Sequence, residues 1–176
     1  MILLMMIGCA LSFSALGASS AVTTHKGGMG WCDGSERLPV LAKMGVKAVY
    51  HWGFVERQIE AAQENGIEYL PMQWGCSAGN HPVDEAAARR FASRYPGLTW
   101  LAFNEPDNDV QADCNPEEAA EQYHKLYQVV KGADPTAKIY CCGTTYWPAH
   151  RDWTQNWAYA YRARYGDWPP VDGLHV

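Results

Sequence analysis

From Lys26 onward, short apolar runs alternate with stretches whose apolar residues recur every three or four positions. The first pattern predicts strands and the second helices, because side chains alternate faces in a strand and return to one face about every 3.6 residues in a helix. Strands are expected at Gly28 to Cys32, Val46 to Trp52, Ile67 to Trp74, Leu98 to Phe103, Lys138 to Cys142 and Val171 to Val176. Pro71 argues for an end position or a bulge in the third, since proline brings no backbone donor to a ladder. Between them, helices are expected over Ser35 to Lys43, Val55 to Asn65, from an Asp84 cap to about Tyr95, and from Asn115 to about Lys131. Gly45, Gly66 and Gly132 stand where the first, second and fourth should stop. Asn115-Pro116-Glu117-Glu118 is a strong start, with a capping amide, proline in the first turn and an acid at the third position. Trp153, Trp157, Tyr161 and Tyr165 recur every four residues, a stripe that reads as core packing on one last helix.

Repeated strand–helix alternation implies parallel strands with right-handed crossovers. Gly28-Met29-Gly30 is followed by Trp31, Cys32 and Asp33 instead of a third glycine, which disfavours a dinucleotide-binding fold. The expected class is therefore α/β, a (β/α)8 TIM barrel. A whole barrel takes about 250 residues, so a chain of 176 is expected to hold roughly the first six strands, truncated. Its last residues, Leu174-His175-Val176, lie inside an apolar strand, where an unfinished sheet would expose its edge.

Composition narrows the setting. Residues 1–21 are apolar and end in small residues, and they read as a secretory signal peptide despite the absence of an early Lys or Arg. Residues 22–176 would then be the barrel portion, secreted and monomeric. No later segment is long enough to span a membrane, and a net charge of −5 offers no basic face to nucleic acid. Removing Cys9 with the leader leaves Cys32, Cys76, Cys114, Cys141 and Cys142, an odd number. Secretion permits disulfides, but adjacent Cys141 and Cys142 should face opposite sides of a strand and so not share a partner. With no C-x-x-C pair and no H-E-x-x-H, no metal or cofactor is expected.

Chemistry in a barrel sits where the strands finish. In order, those ends present Trp31 and Asp33; Tyr50, His51 and Trp52; Gln73 and Trp74; Asn104, Glu105 and Asp107; Thr144, Thr145, Tyr146 and Trp147; then His175. Aromatic and polar groups thus converge on one rim. The flat face of a sugar stacks on aromatic rings, and glycoside cleavage needs a carboxylic acid to protonate the departing oxygen. Asn104-Glu105-Pro106 fits that acid, because Pro106 helps end the strand and leaves Glu105 at the cleft.

These blocks resemble a known family. Lys26-Gly27 with Trp31, Tyr50-His51-Trp52, Leu70-Pro71-Met72-Gln73-Trp74-Gly75 and Leu101-Ala102-Phe103-Asn104-Glu105-Pro106-Asp107 look like successive strand blocks of the Asl1-like glycosyl hydrolase catalytic core, glycoside hydrolase family 128. The segment from Gln111 through Asn115-Pro116-Glu117-Glu118 and the segment Val171 to Val176 also match. His51 and Cys141-Cys142-Gly143 depart from the family's pattern. The resemblance implies a retaining endo-β-1,3-glucanase acting on β-glucan, with Glu105 as acid/base and a nucleophilic Glu on a seventh strand beyond Val176. Substrate contacts are expected from Asn104, Trp31, His51, Trp52, Gln73, Trp74, Tyr146 and His175. Two alternatives remain open: a barrel hydrolase of another β-glycan, and a non-catalytic carbohydrate-binding protein on the same scaffold.

Overall fold

A computed structural model describes residues 28–30, 34–145 and 147–175, with side chains described over 34–145 and 152–175. The signal peptide expected at residues 1–21 lies outside the described residues, as do Trp31 and Tyr146. Among the described residues five strands and five helices alternate: β1 (Gly28–Gly30), α1 (Leu38–Lys43), β2 (Ala48–His51), α2 (Glu56–Glu64), β3 (Glu68–Gln73), α3 (Glu85–Arg94), β4 (Thr99–Asn104), α4 (Pro116–Ala133), β5 (Lys138–Gly143) and α5 (Trp147–Tyr165). The strands form one parallel sheet in the order β1-β2-β3-β4-β5. Sequential order with a helix after each strand is the arrangement of a (β/α)8 barrel, present here as an open arc.

The strands β2 to β5 divide their side chains between two faces. Val49, Tyr69, Trp100 and Ile139 point outward into a core shared with the helices. Leu70, Met72, Leu101, Phe103 and Tyr140 alternate with them and line the concave face. The helices supply the other half of the core: Ile59 and Ala62 from α2, Phe91 from α3, Tyr123, Leu126 and Val130 from α4, and Trp157 and Tyr161 from α5. Phe91 meets Trp100 edge-on at 5.8 Å, and Tyr123 meets Trp157 edge-on at 5.2 Å. The stripe on α5 is accordingly core packing: Trp157 and Tyr161 are buried, while Trp153 and Tyr165 pack at the margin.

The caps are where they were expected. Asp84 accepts from Ala87 N–H at 2.9 Å, and Asn115 accepts from Glu118 N–H at 2.8 Å. Pro71 stands where β3 changes partners, paired with His51 of β2 just before Met72 begins pairing with Leu101 of β4.

Three expectations are corrected. Gly132 does not end α4, which runs to Ala133. Asp134 ends it, its carboxylate taking the backbone N–H of Gly97 at 2.6 Å and of Thr136 at 3.0 Å. Among the described residues the sixth strand shows a single parallel bridge, Tyr140 with Gly173, and the Asp172 side chain takes the Ile139 N–H at 2.9 Å. Finally, Cys141 and Cys142 are bonded to each other, and Cys76 is bonded to Cys114. The two neighbouring sulfurs thus meet, against the alternation expected of a strand.

Candidate active site

The carboxyl ends of β2, β4 and β5, with the segment around Gly173, enclose a cleft of about 560 Å³. Glu105 lies on its wall with Asn104, Tyr50, Thr144, Thr145 and His175, above the apolar floor of Leu70, Met72, Leu101 and Phe103. Among the described residues no other carboxylate lines it.

Glu105 is placed by a tight turn. β4 ends at Asn104, and Glu105 adopts a left-handed backbone conformation with φ 44°. Few non-glycine residues adopt this region, which costs about 1–2 kcal/mol. Here it is held by Glu105 N–H donating to the Gly143 carbonyl at 2.7 Å and by Asn108 N–H donating to the Glu105 carbonyl at 3.1 Å. The carboxylate is half-buried. Its Oε2 accepts from Asn108 Nδ2 at 2.8 Å, while Oε1 has no partner among the described residues. Asn104 donates its amide to Gln111 Oε1 at 3.0 Å, and Asp107 reaches across to β5, accepting from the Thr145 N–H and hydroxyl.

The next loop is tied to this one. The Cys76–Cys114 disulfide joins the segment after β3 to the segment after β4, and Asn80 donates to the Ala112 carbonyl at 3.2 Å. Gln73 is buried, and its amide donates to the carbonyls of Gly75 at 2.9 Å and His81 at 3.1 Å. It therefore holds the loop and does not line the cleft. Gly75 permits that fold-back, since a Cβ there would lie 2.5 Å from His81 and 2.6 Å from the Asn80 carbonyl oxygen.

Beside the main cleft, Trp52, Trp74 and His81 enclose a second hollow of about 250 Å³. Trp52 is exposed, and Trp74 meets the His81 ring edge-on at 5.0 Å. His51 lines neither hollow; its Nδ1 is buried without a hydrogen-bond partner among the described residues. Thr144 Oγ1, on the cleft wall, is in the same condition. Buried polar atoms are rarely left unpaired, and of the two only Thr144 belongs to a residue of the cleft wall.

His175 is held over Gly143, where a Cβ would lie 2.6 Å from its ring and 2.7 Å from the Phe103 carbonyl oxygen. Burial pushes its pKa down to about 4, although the Ala102 carbonyl beside it works in the other direction. The ring is therefore neutral at pH 7. A carbonyl can only accept, so Nε2 carries the proton that it donates to Ala102 at 3.0 Å, leaving Nδ1 as an acceptor.

The structure thus gathers Asn104, Glu105 and His175 around one cleft and sets Trp52 and Trp74 around its neighbour. His81, Asn108, Gln111 and Tyr140 were not singled out from the sequence as site residues. Tyr140 had a signal, since it is the inward member of the β5 alternation; the other three belong to loops without a period.

The profile of the glycosyl hydrolase catalytic core family matches residues 28–167. A search of the curated proteins finds no match. Among solved structures, an endo-β-1,3-glucanase of glycoside hydrolase family 128, subgroup II, from Pseudomonas viridiflava superposes with a TM-score of 0.69 at 20% identity, over 84% of this chain and 58% of that one. A subgroup I enzyme from Amycolatopsis mediterranei, solved with laminaritriose, gives 0.60 at 23% identity over 84% and 54%. A subgroup II enzyme from Sorangium cellulosum gives 0.61 at 26% identity over 85% and 59%. The chain therefore spans little more than half the length of these relatives.

Proposed function

Because the chain belongs to the glycosyl hydrolase catalytic core family, we propose that it carries the acid/base half of a retaining endo-β-1,3-glucanase. The observation that carries this reading is the Glu105 carboxylate, half-buried at the end of β4, with one oxygen held by Asn108 and the other unpartnered on the cleft wall. In the reaction, Glu105 gives its proton to the glycosidic oxygen as the bond to the anomeric carbon breaks. A second carboxylate, from a strand after Val176, attacks that carbon from the opposite side. Glu105 then takes a proton from the water that displaces the enzyme carboxylate and releases the sugar. Retention needs the two carboxyl groups about 5–5.5 Å apart.

The surroundings support these roles. Asn104, its amide aimed by Gln111, can hydrogen-bond a hydroxyl beside the cleaved bond. Trp52 and Trp74 offer ring faces for stacking, and the unpaired Thr144 hydroxyl suits a sugar hydroxyl. Nδ1 of His175 can accept from another. We extend the proposal to Trp31 and Tyr146 as substrate contacts on their strand-end positions alone, whereas Gln73 serves by holding the loop after β3. β-1,3-Glucan is the preferred substrate because the superposed enzymes are β-1,3-glucanases, one of them holding laminaritriose. The protein acts outside the cell as a monomer once residues 1–21 are removed, and N-terminal sequencing of the exported protein checks this. Among the described residues, no helix is long and apolar enough to cross a membrane.

In the full-length protein, Glu105→Gln should lower laminarin turnover by about 10³-fold or more while leaving the fold intact. Near-normal turnover would overturn the assignment. Product release from laminarin, cellulose and xylan compared side by side decides the linkage. One rival reading is a carbohydrate-binding protein on the same scaffold. Laminarin binding by the full-length protein with no new reducing ends would establish that rival.

A further inference from the structure

We propose that Asn108 is a positioning residue for the acid/base carboxylate, a role that rests on the reading of Glu105 above. Two hydrogen bonds fix the orientation of its amide. Asn108 Oδ1 accepts from Val110 N–H at 3.1 Å, and Asn108 Nδ2 donates to Glu105 Oε2 at 2.8 Å. A flipped amide would set its oxygen against a carboxylate and its NH2 against an N–H, losing both bonds, so the turn dictates that the donor faces Glu105. Asn108 is itself built into that turn, since its N–H donates to the Glu105 carbonyl and its carbonyl accepts from Gln111 N–H at 3.0 Å.

The bond removes a freedom that matters for catalysis. A glutamate side chain has three rotatable bonds, and a half-buried one beside an open cleft would sample several rotamers. Holding Oε2 turns the unpartnered Oε1 into the cleft, where the proton must be delivered to the departing oxygen. Neighbouring polar groups are engaged elsewhere: Asp107 is tied to Thr145, Asn104 to Gln111, and His175 to the Ala102 carbonyl. Among the described residues Asn108 alone hydrogen-bonds the Glu105 carboxylate.

The competing account is that Asn108 merely shapes the turn. Asn108→Asp separates the two, because it keeps the acceptor for Val110 N–H but loses the donor to Glu105. Each variant is made in the full-length protein and assayed on laminarin and on dinitrophenyl β-laminaribioside, whose phenolate leaves without needing a proton. Asn108→Ala and Asn108→Asp should both lower kcat on laminarin by about 10- to 100-fold with KM within about threefold, while the glycosylation rate on the dinitrophenyl substrate changes less than about threefold. Full activity in Asn108→Asp overturns the proposal, and so does an equal loss on both substrates. If the wild type itself cleaves neither substrate, the glucanase reading has failed instead. The pairing is then judged by NMR: side-chain amide signals of Asn108 that shift in Glu105→Gln support it, and unmoved signals overturn it.

Discussion

The two ends of the parallel sheet solve the same problem, returning the chain between a helix and a strand, with different materials. At the amino end, the turns after α2 and α3 pass through Gly66 at φ 66° and Gly97 at φ 85°, residues that reach this region without steric cost. The turn after α4 uses the buried Asp134 carboxylate as a hub for Gly97 and Thr136. At the carboxyl end Gly34 has positive φ too, but so do His81, Glu105 and Asp113, where side chains pay a steric penalty. There the loops are longer, and they are held by a disulfide and by amides: Gln73, Asn80, Asn108 and Gln111. The difference teaches that one end is arranged for stability and the other for aiming side chains, with backbone strain accepted where a carboxylate must face the cleft.

Removing the rim's covalent tie tests this most severely. Changing Cys76 and Cys114 together to Ser should lower stability by about 3 kcal/mol, since the bond closes a long loop, and should reduce laminarin turnover as well. Denaturant titration and kcat are measured on the same variant, and a loss of stability without any loss of turnover would contradict the positioning role of that end. The matching change at the opposite end is Asp134→Ala. It removes a carboxylate only 4% exposed that accepts from the Gly97 and Thr136 N–H groups, and about 2 kcal/mol of stability should go. Turnover of the folded fraction should be unchanged; a fallen kcat would erase the distinction between the two ends.

His175 gives a pH signature to the rim. Its pKa is about 4 in the folded chain and 6.5 when unperturbed. As pH falls, the unfolded state takes the proton first, so the stabilisation present above about pH 6.5 is lost progressively down to about pH 4. After allowance for its partial exposure, the loss should be about 2 kcal/mol. His175→Gln should flatten unfolding curves across that window, and an unaltered pH dependence would count against the buried neutral ring. The smallest effect concerns strain alone. Glu105→Gly should be more stable than Glu105→Ala by about 1 kcal/mol, because glycine accepts the left-handed conformation. Equal midpoints in urea would mean that the turn relaxes without cost.

Where regular spacing carried the information, it was legible before any coordinates. The Asn115 and Asp84 caps, the α5 stripe and the placement of Glu105 just past β4 all follow from patterns within a dozen residues. Errors arose where a side chain from elsewhere intervened. Gly132 resembles a stop signal, but the Asp134 carboxylate supplies a stronger one two residues later. The strand expected at Val171 to Val176 has the right composition, yet Asp172 takes the Ile139 donor that a longer ladder would use.

Local sequence determined the alternation of elements, their caps and the emergence of Asn104-Glu105 at a strand end, because periodicity and capping act over a single turn or strand. Tertiary structure alone decided which groups surround that carboxylate. Gly143 is an unremarkable strand glycine until His175 and the Phe103 carbonyl are found against it. Asn108 is an ordinary turn residue until its amide, fixed by Val110, is seen to hold Glu105. Such contacts join residues by direction and distance in space, and no spacing along the chain records them.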